Sequence, residues 1–274
     1  MLKDNMFSRL PIIVLLLIVV AVVFAPYITH YDPISINLDE IKAAPSPGHP
    51  FGTDCKGRDV LARVLYGGRI SLGVSFAAAL VSLCIGFTVG LLSGYYGGWV
   101  DTLLMAIVDL TLAFPSLLLA IGISVVLPPT KFTVMAAIAL VGWASFARLI
   151  RGQVLKVKEM AYVEAARSLG AGNLRILAVH IFPQCLSLGL VILGIKFSGY
   201  ILTEASLSFL GLGPQPPTPS WGNMIGENRA YIISEPWMVL FPGLAIAVTA
   251  LCFNLFGDFM QEKYSNYDDR QRRS

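Results

Sequence analysis

Charge is scarce in this sequence. Asp, Glu, Lys and Arg make up 14% of its 274 residues, against about 25% in a typical soluble domain. A soluble chain of this length can bury a core, but it carries more charge on its surface. Disorder is excluded too, because it combines low hydrophobicity with high charge, and here 55% of the residues are hydrophobic. Cysteine is equally sparse. Cys84, Cys185 and Cys252 lie inside apolar stretches and Cys55 stands alone in a polar loop, so neither a disulfide framework nor a metal site is indicated. Gly (25) and Pro (16) show no triplet period, which removes a collagen-like chain. The net charge of +3 gives no reason to invoke nucleic acid. There is no GxxxxGK[ST] phosphate loop, and His, Asp and Glu are scattered rather than clustered. The chain therefore lacks the means to hydrolyse a nucleotide itself.

Long apolar runs are what the sequence has instead. Spanning a bilayer core takes about 20 mainly apolar residues. Six stretches qualify: Leu10–Ile28, Ser71–Tyr95, Leu103–Leu127, Phe132–Ile150, Pro183–Leu207 and Trp237–Phe256. The prediction is an all-α polytopic membrane protein with six transmembrane helices. The first stretch is too long for a signal peptide, and no small-x-small cleavage site cleanly precedes Pro26. With both termini inside, the inner segments hold 12 Lys and Arg and the outer loops 7, the orientation that the positive-inside bias favours.

Within the spans, Gly86, Gly90 and Gly94 recur every four residues, a spacing that lets two helices approach closely. Gly97-Gly98 marks a tight turn, and Pro115 and Pro242 each predict a kink. Asp109, Lys196 and Glu204 are intramembrane charges, which in general face protein or water. Glu204 lies about 12 Å beyond Lys196 along one helix and about 80° around it, so the two do not simply pair. Lys196 is left with three settings: lining a pathway, pairing with Asp109, or snorkelling to the interface. No internal repeat, voltage-sensor span or pore-filter signature is present, which argues against most secondary transporters and channels.

The segment between the fourth and fifth spans is the most specific. Residues 156–173 read KVKEMAYVEAARSLGAGN. Leu155, Val163, Ala166 and Leu169 form a helical apolar stripe, Gly170 suits the left-handed residue that ends a helix, and Asn173 suits a cap for the next. The expectation is a short helix–turn–helix on the inner face. Ala165 and Ala166 keep one side thin for close approach, and Glu164 offers a charge to a partner. Glu164-Ala165-Ala166, three residues and Gly170, then Pro183 thirteen residues on, resembles the EAA loop of ABC importer permeases. The family pattern ends Ile-x-Leu-Pro, where this chain has His180-Ile181-Phe182-Pro183. A lone His180 does not make a metal site.

Two further stretches narrow the resemblance. Gly52-Thr53-Asp54 through Gly57-Arg58-Asp59 precedes an amphipathic helix that leads into the second span. After Ser206-Leu-Ser-Phe-Leu-Gly-Leu-Gly213 comes a proline-stiffened run to Ser220, which can cap a short helix, with Trp221, Tyr231 and Trp237 expected at the interfacial level. Together these resemble the C-type permease subunit of dipeptide, oligopeptide and nickel importers from about Leu10 to Asp258. The resemblance implies the type I ABC importer transmembrane fold. It divides the chain into an N-terminal helix and extracytoplasmic loop (1–66), a transmembrane domain (67–260) and a cytoplasmic tail (261–274). It implies a transport component rather than an enzyme, in a bacterial or archaeal cytoplasmic membrane, with a homologous second permease, two ABC ATPase subunits and an extracytoplasmic substrate-binding protein as partners. Glu164, Ala165, Ala166 and Gly170 would couple to the ATPases, which use ATP and Mg; the chain itself would hold no cofactor and no metal. Peptides are the expected cargo, with nickel or a metal chelate as the alternative.

Overall fold

The computed structural model describes the backbone of residues 2–273 and the side chains of residues 10–263. Among these it is helical, with no strand beyond a single antiparallel bridge between Thr53 and Asp59. The helices are α1 (Leu2–Val23), α2 (Val60–Tyr96), α3 (Gly98–Ala113), α4 (Ser116–Val126), α5 (Lys131–Lys158), α6 (Ala161–Ser168), α7 (Asn173–Phe209), α8 (Trp221–Asn228) and α9 (Trp237–Arg273). Four of them, α2, α5, α7 and α9, are long and apolar enough to cross a bilayer. The third predicted span is not one helix: α3 and α4 meet at 90°. Pro115 forces the residue before it out of the helical region, and Phe114 is extended at φ −94°, ψ 143°. The first predicted span is helical, as α1 and a further turn at Ala25–Ile28, and Leu10–Val23 is its apolar helix among the residues with described side chains. At Pro242 α9 continues as helix.

Contacts divide the chain into two compact units. The first comprises the residues up to Ala78, Ala120–Ile138 and Phe197–Phe256. In it Asp59 caps α2 by accepting a hydrogen bond from the Ala62 N–H at 2.6 Å, satisfying a donor that the helix start leaves free. Ser220 caps α8 in the same way, accepting from the Asn223 N–H at 3.3 Å, as expected. A core of Val60, Val64 and Met224, with Phe51 stacked on Phe241 at 3.8 Å, joins the start of α2 to α8 and α9. The three aromatics expected at the interface each have a partner within this unit. Trp221 is buried, its indole donating to the Val64 carbonyl at 2.9 Å. The Trp237 indole donates to the Thr53 carbonyl at 3.1 Å, and the Lys42 ammonium sits 3.8 Å from the Tyr231 ring centre.

The second unit comprises Ala79–Leu119, Ala139–Lys196 and the residues from Gly257 on. Here the glycine spacing does what the sequence predicts. A Cβ built on Gly90 would lie 2.5 Å from the Ala147 carbonyl oxygen and 2.9 Å from the Ile150 Cβ; one on Gly94 would lie 2.8 Å from the Val154 Cβ. Gly86 meets the Trp143 carbonyl in the same way. Thus α2 and α5 touch backbone to backbone over two turns. Val108 of α3 packs on Ala144 and Ala147 of α5 beside them. The turn into α3 uses Gly97 and Gly98, both at positive φ (66° and 54°).

Candidate functional site

The segment between α5 and α7 is a short helix on a fixed frame. Helix α5 runs eight residues past its predicted end, to Lys158, and the chain then breaks at Met160, which is extended (φ −74°, ψ 141°). The eight-residue α6 closes at Gly170, which has φ 83°. Around that glycine the Ala171 N–H donates to the Ala166 carbonyl and the Gly170 N–H to the Arg167 carbonyl, both at 3.0 Å. This is the paired-bond helix ending that a left-handed residue permits.

Both flanks of α6 are tied to the end of α2. The Lys158 ammonium donates to the Tyr95 carbonyl at 2.7 Å, and the Tyr95 hydroxyl donates to Asn173 Oδ1 at 2.8 Å. Asn173 is thereby spent on Tyr95 and does not cap α7; Gly172 holds the cap position with its backbone alone. Val163 is fully buried, while Leu169, expected on the same apolar stripe, is 89% exposed. Leu169 is the residue that ends α6, outside its regular turns, so the stripe stops short of it. Glu164 and Ala165 are exposed and Ala166 is half-buried. The result is an exposed acidic and small-residue face whose base is clamped at both ends. Beyond it, Ile176–Ile181 is a π turn at the head of α7. Pro183 has no N–H to return to the helix, which loosens the turn before it. His180 stands 6.0 Å ring to ring from Tyr162 of α6.

The intramembrane charges are not brought together. Asp109 of α3 pairs with Arg148 of α5, not with Lys196. Helix α3 packs along α5, so the nearest cation comes from there. Lys196 is half-buried and has no ion-pair partner among the described residues. Glu204 is completely buried in the first unit and lines no surface. Its carboxyl group accepts from Ser208 at 2.8 Å, and the neighbouring Ser71 oxygen accepts the Trp221 N–H at 3.1 Å. Ser71 thereby ties the start of α8 to α2 beside the buried Glu204.

One cluster escaped the sequence reading. Arg58 and Arg63 are buried, with side chains 2% and 1% exposed. The Arg58 guanidinium donates to Asp54 at 2.7 Å and to Glu227 at 2.8 Å; Arg63 donates to the same Glu227 oxygen at 3.2 Å and to the Pro33 carbonyl at 3.0 Å. His49 bridges Asp59 (2.8 Å) and Glu40 (3.2 Å). Burial lowers the pKa of this imidazole, but the hydrogen bonds and charges of Asp59 and Glu40 outweigh it and hold the pKa above its ordinary value. The network welds the 29–59 segment to α8. The sequence marked Asp54, Arg58 and Asp59 as part of the stretch before the second span but gave no sign of Glu227 as their partner.

With this geometry in place, comparison with known proteins is informative. Residues 86–266 match the family of binding-protein-dependent transport system inner membrane components. The glutathione transport system permease protein GsiD of Pectobacterium atrosepticum is 43% identical over 250 residues, covering 91% of this chain and 83% of the relative. The dipeptide transport system permease protein DppC of Alkalihalophilus pseudofirmus is 41% identical over 261 residues, covering 95% and 86%. In fold, the chain resembles an amino acid ABC transporter (TM-score 0.57, 17% identity, 73% of this chain and 94% of that one) and the inward-facing MetNI methionine ABC transporter (TM-score 0.57, 18% identity, 73% and 95%).

Proposed function

The chain belongs to the binding-protein-dependent transport system inner membrane components, and on that premise we propose that it forms one half of the translocation pathway of an ATP-driven importer for di- and oligopeptides. Carrying this reading is the identity of 41–43%, over more than nine-tenths of the chain, to permeases named for dipeptide and glutathione transport. Those names favour peptides over nickel as the cargo. The protein works with a homologous second permease, two ATPase subunits that consume ATP and Mg, and an extracytoplasmic binding protein. It sits in the cytoplasmic membrane with both termini inside, the orientation supported by the Lys and Arg distribution. It performs no catalysis and needs no cofactor of its own.

Helix α6 is the coupling element. Glu164 and Ala165 project from it, Ala166 and Gly170 shape its ending, and the bonds of Tyr95 to Lys158 and Asn173 transmit any push on it to α2 and α7. A rigid link of this kind converts displacement at the ATPases into a switch between two packings of the spans. The test is ATP-dependent uptake of labelled di- and tripeptides by proteoliposomes containing the chain and its genomic neighbours. Uptake that follows both ATP and the binding protein is expected. Peptide flux that needs neither, or a cognate binding protein that purifies with metal and no peptide, overturns the reading.

A further inference from the structure

A groove in two halves runs between the end of α7 and α8. The two elements pass so close that a Cβ built on Gly226 would lie 2.7 Å from the Phe209 carbonyl oxygen. Beside this contact, one hollow of about 320 Å³ is walled by Leu202, Phe209, Leu210 and Ile225. A second, of about 260 Å³, is walled by Gln215, Asn223, Glu227 and Arg229. Phe209 and Leu210 line both, so the halves are continuous. Together they reach the size of a small-molecule site, about 300–1,000 Å³. Helix α8 is tied to the 29–59 segment through Arg58 and Glu227, so the groove lies on the face that the proposed orientation makes extracytoplasmic.

The polar half is rigid and only partly used. Gln215 donates its amide N–H groups to the Gly211 and Gly213 carbonyls at 3.0 and 2.9 Å, which fixes the side chain and leaves its Oε1 as an acceptor. Asn223 is buried and held by its bond to the Pro214 carbonyl at 2.9 Å. Glu227 is neutralised where it stands: its Oε2 takes Arg58 and Arg63, and its Oε1 lies 3.8 Å from Lys56. Arg229 is exposed and makes no ion pair or side-chain bond among the described residues. The uncommitted charge on this wall is therefore a guanidinium, whose planar fork suits a carboxylate. The other half offers only apolar surface from its large side chains, with Leu202, Phe209 and Leu210 all exposed.

We propose that this groove binds the carboxyl-terminal residue of a peptide. Arg229 takes the carboxylate, Gln215 Oε1 accepts the last peptide N–H, and Leu202, Phe209, Leu210 and Ile225 receive an apolar side chain. A free chain end supplies carboxylate, N–H and side chain from a single residue, which an internal segment of a partner protein does not. The proposal rests on the transport reading above and adds an outer contact for its cargo.

Photolabelling tests it. The reconstituted complex, without binding protein, is irradiated with alanyl-p-benzoylphenylalanine, and the labelled residues are mapped by mass spectrometry. Label should fall within residues 202–229 of this chain. Alanylphenylalanine should compete, and its carboxamide should compete about tenfold more weakly, the loss expected when a hydrogen bond to a charged group is removed. Arg229→Gln should lower labelling about tenfold and Arg229→Lys should keep most of it, both with normal assembly. Label found only elsewhere, or displaced equally by the acid and the amide, overturns the proposal. So does label that appears only after the subunits are separated, since a partner subunit then covers the groove. If the Arg229 variants do not assemble, the comparison of acid and amide on the wild-type complex decides alone. Groove labelling in a complex that takes up no peptide would refute the cargo reading and leave the site standing, whereas uptake without groove labelling would do the reverse.

Discussion

Adding one methyl group at Gly90 should separate α2 from α5. The new Cβ would lie 2.5 Å from the Ala147 carbonyl oxygen, 2.9 Å from the Ile150 Cβ and 3.0 Å from the Arg151 nitrogen. Relief requires about 1 Å of movement, since ordinary carbon contacts begin near 3.5 Å. Two of the three neighbours are backbone, so no flexible side chain can swing away. Overpacking of this kind costs about 1–3 kcal/mol, even though Ala is the better helix former by about 0.5–1 kcal/mol. Gly73 on the same helix provides the control, because a Cβ there meets nothing within 4 Å. Gly73→Ala should be neutral or slightly stabilising. Thermal unfolding of the purified complex in detergent, followed by loss of the monodisperse species, compares the two. Gly90→Ala should melt below wild type and Gly73→Ala at or above it. Equal melting of both variants would show that the helices are not in backbone contact and would refute the packing described for the second unit.

Further outcomes follow from the charges and the turn at Gly170. Glu227→Gln leaves two buried guanidiniums short of an anion and should cost about 3–5 kcal/mol, as breaking a buried pair does; proteolysis of the 29–59 segment reads it. Because the folded His49 imidazole has a raised pKa, its contribution to stability is complete below the ordinary value of 6.5 and is lost as pH rises through the raised one. Hydrogen-exchange protection of residues 40–59, relative to the base-catalysed intrinsic rate at each pH, should therefore be greater at about pH 6 than at about pH 8, and His49→Gln should abolish the difference. At φ 83°, Gly170→Ala should cost about 1–2 kcal/mol, confined to α6 and visible as faster exchange there while the melting of the spans is unchanged.

Features written in a few neighbouring residues were legible in the sequence. The glycine repeat of α2 announced its close contact, Gly170 announced the end of α6, Ser220 announced the start of α8, and apolar length announced the four long helices α2, α5, α7 and α9. What depended on neighbours distant in sequence was not. Arg63 and Glu227 lie 164 positions apart, so two buried arginines read as loop charge. Asp109 was a recognisable intramembrane charge, but its partner is set by which helix packs beside α3, and that is a tertiary fact. Asn173 has the side chain of a cap, yet Tyr95 claims it from 78 residues away. Pro115 foretold a break without foretelling that it turns the chain by 90°.

The proposed coupling through α6 is most directly tested in ATP hydrolysis by proteoliposomes of the full complex supplied with loaded binding protein. Glu164→Lys reverses the charge on an exposed position of α6 that bears no described side-chain bond, so the complex should assemble and melt normally. Stimulation by the binding protein should fall to the unstimulated rate, and peptide uptake should fall with it. Stimulated hydrolysis and uptake at wild-type levels in the Glu164→Lys complex would contradict the coupling role of this segment.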